Sequence, residues 1–143
     1  EFKKLNVFAN DQGYLYEALR NDDKIFDGKF GQVLVSELYL GVIKGLHRHH
    51  KQTDYTTCVK GNVKYVYGRE NKDGGCDLKT VVIGESNPVL VKCPPGYWHG
   101  YMPLGGKNAT VIHVMNKSYN SKDPDTDRVE HDKFGDVWTV KPS

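Results

Sequence analysis

Short runs rich in Val, Ile, Thr and Tyr recur along the whole chain, and turn-forming clusters interrupt each before it reaches helix length. Such side chains suit a pleated, half-buried sheet, and apolar positions at helical spacing are scarce. The candidate strands are residues 14–19, 31–39, 41–47, 55–67, 78–83, 89–93 and 110–115, with a weaker one at 137–140. Between them fall Asn21-Asp22-Asp23, Asn71-Lys72-Asp73-Gly74-Gly75, Glu85-Ser86-Asn87-Pro88, Pro94-Pro95-Gly96 and Gly105-Gly106. Gly, Pro, Asn and Asp supply the backbone angles of tight turns. So many short strands predict an all-β sandwich or barrel rather than alternating strands and helices. Residues 116–133 are polar and turn-rich, and are expected to form a loop or short helix outside the sheet.

The 143 residues fit one domain, 1–143, long enough to bury a core without disulfides. Three cysteines without a C-x-x-C spacing indicate reduced thiols and a cytoplasmic protein. Twenty basic against 18 acidic side chains leave no footprint for nucleic acid, although a local basic lining for an anionic ligand remains open. No apolar run reaches membrane-spanning length, and no apolar stretch of signal-peptide type follows Glu1-Phe2-Lys3-Lys4. The acidic run at 123–127 reads as a solvated loop.

Histidine carries the chemical information. Three of the six lie in His47-Arg48-His49-His50, and the others are His99, His113 and His131. Strand alternation points His47 and His49 to one face, and Arg48 and His50 to the other. Asp54 follows His49 by five residues, Gly61 follows Asp54 by seven, and His99 closes Pro94-Pro95-Gly96-Tyr97-Trp98-His99. These segments resemble the two cupin motifs, H-x-H-x4-[ED]-x6-G and P-x-G-x2-H, which implies a cupin (double-stranded β-helix, jelly-roll) barrel. Its interior can bring imidazoles and a carboxylate from several strands to one point. Two readings fit. His47, His49, Asp54 and His99 can hold a divalent metal such as Zn, Fe, Ni or Mn, or they are ordinary polar residues on a partly wet face, with Asp54 satisfying one imidazole.

A second resemblance spans Phe8 to Trp138. Residues 8–17 are similar to the F-x-D-x-R-G-x-x-x-E opening of the dTDP-4-dehydrorhamnose 3,5-epimerase family. Phe30-Gly31-Gln32 and Gly41-Val42-Ile43-Lys44-Gly45-Leu46-His47 resemble its F-x-Q and G-V-L-R-G-L-H, and Gly96-Tyr97-Trp98-His99-Gly100-Tyr101 its G-F-A-H-G-F. Tyr119-Asn120-Ser121 and Phe134-Gly135-Asp136-Val137-Trp138 resemble its Y-Y-S-P and closing I-G-x-x-W. The resemblance implies a nucleotide-sugar epimerase that needs no cofactor and works beside the keto group of a dTDP-4-keto-6-deoxyhexose. It also implies a homodimer. It makes His47 the base, His99 the group beside the sugar and the developing oxyanion, and Asp132 the carboxylate that partners the base. Lys44 and Tyr119 become substrate contacts. Trp98 and Tyr101 flank His99 at the motif turn, and that turn is expected to aim both into the pocket as substrate-binding walls.

The chain departs from the family where chemistry is done. The family's active-site lysine falls on Asp54 and its catalytic tyrosine on His113, which makes His113 the candidate acid. Lys44 replaces an arginine and gives up bidentate recognition. Gln12 replaces another arginine, and Leu34 a substrate-facing asparagine. These changes favour a related epimerase or isomerase with a different sugar. A metal-dependent cupin enzyme acting on another small molecule, and a non-catalytic cupin that binds a sugar or metabolite, remain alternatives.

Overall fold

The computed structural model describes residues 1–143. Twelve strands follow in order: β1 (Phe2–Lys4), β2 (Phe8–Asn10), β3 (Gly13–Leu15), β4 (Gln32–Leu38), β5 (Lys44–Arg48), β6 (Asp54–Lys60), β7 (Asn62–Arg69), β8 (Lys79–Gly84), β9 (Val89–Cys93), β10 (Tyr97–Leu104), β11 (Ala109–Met115) and β12 (Asp127–Arg128). They form two five-stranded antiparallel sheets, β1-β9-β6-β11-β4 and β12-β5-β10-β7-β8, with β2 and β3 as a separate hairpin. The strand pattern predicts an all-β sandwich or barrel, and the fold is one, in the jelly-roll form that the cupin resemblance implies. No helix is long and apolar enough to cross a membrane.

Several boundaries differ from expectation. Residues 55–67 form two strands, because Gly61 turns the chain at φ +73°. A Cβ there would stand 2.7 Å from the carbonyl oxygen of Asn108, so the close approach as well as the angle requires glycine. Residues 97–104 form a strand that the pattern does not announce, since it carries Gly100 and Pro103. Pro103 is accommodated because pairing with β5 ends at Tyr101 opposite Lys44, leaving β10 bonded only to β7 at that level. Gly100 is required by contact: a Cβ would meet Lys44 O at 2.5 Å and the Trp138 ring at 3.1 Å. Residues 137–140 are not a strand, and residues 116–133 contain β12 but no helix.

Between the sheets lies a core that includes Leu38, Cys58, Val63, Tyr65, Ile83 and Val111. The outer faces are covered by the chain ends. Leu5, Tyr16, Leu19, Ile25 and Phe26 from the N-terminal segment pack on Tyr55, Leu90 and Val114 of the first sheet. Phe134, Val137 and Trp138 from the C-terminal segment pack on Leu46, Val66 and Trp98 of the second. The outer side of the edge strand β4 stays open, with Val33 and Val35 exposed, and polar groups on the interior side gather at one open end.

The inward positions show that gradient along single strands. In β6 they run from Cys58 through Thr56 to Asp54, in β11 from Val111 to His113, and in β10 from Pro103 through Tyr101 to His99. Apolar residues fill one end of the interior and titratable residues line the other.

Candidate functional site

The polar end of the interior opens into a cavity of ≈ 350 Å³. Gln32, Leu34 and Ser36 of β4 and His113 of β11 line one side, with Asp54 of β6. Lys44 and His47 of β5 and His99 and Tyr101 of β10 line the other, and Tyr119 and Arg128 stand with them. The alternation expected for residues 47–50 is present. His47 and His49 face this cavity, whereas the Arg48 guanidinium lies 4.4 Å over the Trp98 ring and pairs with Asp127 and Glu70.

His47 and His99 sit opposite one another on paired strands, with ring centroids 6.2 Å apart. The Arg128 guanidinium donates from Nη1 to Nε2 of His47 at 3.1 Å. A guanidinium can only donate, so Nε2 is the unprotonated nitrogen. Burial, the neighbouring His99 and then Arg128 push the His47 pKa down to about 4, which leaves a neutral imidazole at pH 7.

His49 and His99 share a different geometry. The ring Nδ1–H of His49 donates to the Asp125 carbonyl at 2.8 Å, and that of His99 to the Tyr97 carbonyl at 3.2 Å. Both Nε2 atoms therefore turn inward, reaching Asp54 Oδ2 at 3.4 and 3.6 Å. The other Asp54 oxygen accepts from Gln52 Nε2. Burial raises the Asp54 pKa, but the His49 hydrogen bond and the nearby imidazoles outweigh it, and the net shift is downward. Burial likewise works against a charged His49, and Asp54 more than offsets it, so its pKa is raised. One ligand atom from each of His49, Asp54 and His99 lies within 4.8 Å of the others, and these three could hold a metal ion. His47 is outside this group because its Nε2 faces Arg128.

His113 lies on the Val111/Met115 face, as strand alternation predicts, and 6% of it is exposed. Its Nε2 is 2.9 Å from the Tyr101 hydroxyl and its Nδ1 2.9 Å from Thr56 Oγ1. Burial pushes its pKa down to about 4, despite Asp54 nearby. Burial and the Asp54 charge push the Tyr101 phenol up to about 12. Tyr65 is a core residue whose ring stacks on Tyr101, 6.4 Å between centroids and 8° from parallel.

Two expected site residues are elsewhere. Trp98 points out of the barrel into the Leu46–Val66–Trp138 cluster, because it alternates with His99 along β10. Asp132 lies in the exposed turn before Gly135, whose N–H donates to its carbonyl, and does not line the cavity. The group on His47 is instead Arg128, which the sequence reading did not single out. Nor is the acidic run at 123–127 a solvated loop throughout. The Asp125 carboxylate accepts the backbone N–H groups of His50, Lys51 and Gln52 at 3.0, 2.9 and 2.8 Å and clamps the turn that aims His49. Gln12 sits at the tip of the exposed β2–β3 hairpin, where its N–H caps Asn10 Oδ1.

Known proteins place this architecture. The chain is 36% identical over 143 residues to the spore coat polysaccharide biosynthesis protein SpsL of Bacillus subtilis, covering 97% of this chain and 94% of that one. It is 32% identical over 135 residues to the probable low-salt glycan biosynthesis epimerase Agl13 of Haloferax volcanii, covering 92% and 86%. Among solved structures, the dTDP-6-deoxy-D-glucose-3,5-epimerase of Legionella pneumophila, in complex with dTDP-4-keto-L-rhamnose, superposes with a TM-score of 0.82. That match is 18% identical and covers 98% of this chain and 78% of that one. Several dTDP-4-dehydrorhamnose 3,5-epimerases share the fold. This chain thus has the same fold as these solved epimerases. The profile described as "Polysaccharide biosynthesis C-terminal domain" matches residues 9–127, and the chain belongs to that family.

Proposed function

We propose that this protein is a nucleotide-sugar epimerase or isomerase that removes and returns a proton beside the keto group of a dTDP-4-keto-6-deoxyhexose-like substrate. The observation that carries the reading is His47: a neutral imidazole with its unprotonated Nε2 in a sugar-sized cavity, opposite His99. A keto group acidifies its neighbouring carbons, and a neutral imidazole is a competent base near pH 7. His47 takes the proton, and the resemblance puts His99 beside the sugar. Lys44 and Arg128 offer two cations to a diphosphate, and Tyr119 an exposed ring at the cavity mouth. The enzyme works as a cytoplasmic homodimer. Exposed Phe8, Tyr14 and Leu15 on the hairpin and Val33 and Val35 on the edge strand β4 support that assembly. Proton NMR of dTDP-4-keto-6-deoxyglucose incubated with the protein tests the reaction. A product with changed ring couplings supports it, and unchanged couplings with every 4-keto-6-deoxy nucleotide sugar tried would sink it.

A second reading rests on the convergence of His49, Asp54 and His99. Imidazoles whose Nδ1–H groups are tied to carbonyls are oriented as metal-bound histidines usually are. A set of two nitrogens and one carboxylate suits Zn, Fe, Ni or Mn and leaves positions free for substrate. Such an ion would supply a Lewis acid for a carbonyl oxygen. Elemental analysis of the protein and of Asp54→Ala decides this reading. Near-stoichiometric metal that the variant loses supports it, and metal absent from the wild type or kept by the variant removes it.

A further inference from the structure

On the reading of the site as a proton-transfer epimerase, we propose that Tyr101 is the proton donor, and that His113 and Thr56 position it. The residue that resemblance makes the acid, His113, does not line up as one: both its ring nitrogens are engaged, with Thr56 on one side and Tyr101 on the other. Tyr101 lines the cavity together with His113, and its phenol is the free end of that chain.

Hydrogen-bond accounting decides which way the chain runs. Thr56 is 1% exposed, and His113 Nδ1 is the partner its hydroxyl has. If Nδ1–H donated to Thr56, the threonine hydrogen would be left buried without an acceptor, a loss on the order of 1–3 kcal/mol. With Thr56 donating to Nδ1, every hydrogen is placed. Nε2 then carries the ring proton and donates it to the Tyr101 oxygen, and the phenol hydrogen is free to point into the cavity. The same Nε2–H holds the phenolate left after the proton departs. Stacking on Tyr65 fixes the ring.

Donor and acceptor stand on neighbouring strands of one sheet, but each is anchored to a different partner. His47 is held on β5 by Arg128 of β12, whereas the Tyr101 hydroxyl is tied across the interior to β11 and β6 of the opposite sheet. In the step, the substrate C–H bond breaks and its proton goes to His47 Nε2, while the electron pair forms the enolate. The enolate carbon then takes the proton of the Tyr101 O–H bond on its other face, leaving phenolate and imidazolium. Imidazolium loses its proton to water and phenolate regains one from water, so the enzyme is restored without a net change.

The test follows two signals in deuterium oxide with a dTDP-4-keto-6-deoxyhexose: loss of the ring proton and appearance of the inverted sugar. Tyr101→Phe should keep proton loss within threefold of wild type and cut inversion at least 100-fold. Thr56→Val and His113→Asn should cut inversion about tenfold without changing proton loss or KM, a split that a merely structural defect would not give. Matched thermal unfolding transitions confirm that each variant is folded. Inversion by Tyr101→Phe at the wild-type rate overturns the donor role while leaving the epimerase reading intact. Inversion by Thr56→Val and His113→Asn at the wild-type rate overturns the positioning roles. A wild-type protein that gives neither signal overturns the epimerase reading and this proposal with it.

Discussion

Arg128 donates to Nε2 of His47 across 3.1 Å, so a cation from one strand caps the lone pair that a base on another strand needs. For His47 to take a proton the guanidinium must move aside, and an anionic diphosphate or enolate is the partner that would draw it away. The contact therefore couples substrate charge to base availability.

Arg128→Gln tests that coupling. Burial, His99 and Arg128 together hold the His47 pKa at about 4, so wild-type activity should lose its base only as the pH falls toward that value. Without the guanidinium the pKa moves up toward the ordinary 6.5, and the acid limb of kcat/KM moves to higher pH. KM for the nucleotide sugar should rise as well. An acid limb at the wild-type position would contradict the coupling.

His113 links stability to pH. Its folded pKa of about 4 lies below the ordinary 6.5, so the unfolded chain binds more protons between those values. Stability is full above the unfolded value and falls as the pH drops from 6.5 to 4. His47 acts in the same direction, and His49, whose pKa is raised, opposes it. Urea midpoints measured from pH 7 to 4.5 should fall more steeply for wild type than for His113→Gln. Equal slopes would show that the buried imidazole does not govern acid sensitivity.

Asp125→Ala should destabilise the fold by about 2 kcal/mol, because three backbone N–H groups lose a charged acceptor. Chemical denaturation measures the loss. Asp125→Asn should recover part of it, since an amide oxygen still accepts. A variant as stable as wild type would show that the turn needs no clamp.

The sheet architecture and the half of the site that lies on regular strands were legible in the residues. His47 and His49 alternate with Arg48 and His50, and His113 shares a face with Val111 and Met115, so period-two reading placed all three correctly. It misplaced Trp98 because a motif turn was taken to aim its neighbours into the pocket, whereas β10 continues through it and sends Trp98 outward. The strand itself was hidden by Gly100 and Pro103, whose tolerance depends on how far β5 extends, a tertiary fact. Arg128 and Asp125 left no local signal: a two-residue strand and a carboxylate that caps amides 73 to 75 positions away look like loop composition. The partnership of Tyr101 with His113 joins two sheets and emerges only from the packing.

The most direct measurement is solvent deuterium incorporation into a dTDP-4-keto-6-deoxyhexose by chelator-treated wild-type protein and by His47→Asn. The account predicts exchange at the carbon beside the keto group with the metal-stripped wild type, and a loss of at least 1000-fold in the variant. Exchange that persists in His47→Asn, or that chelation abolishes and added metal restores, would contradict the assignment of His47 as the free base.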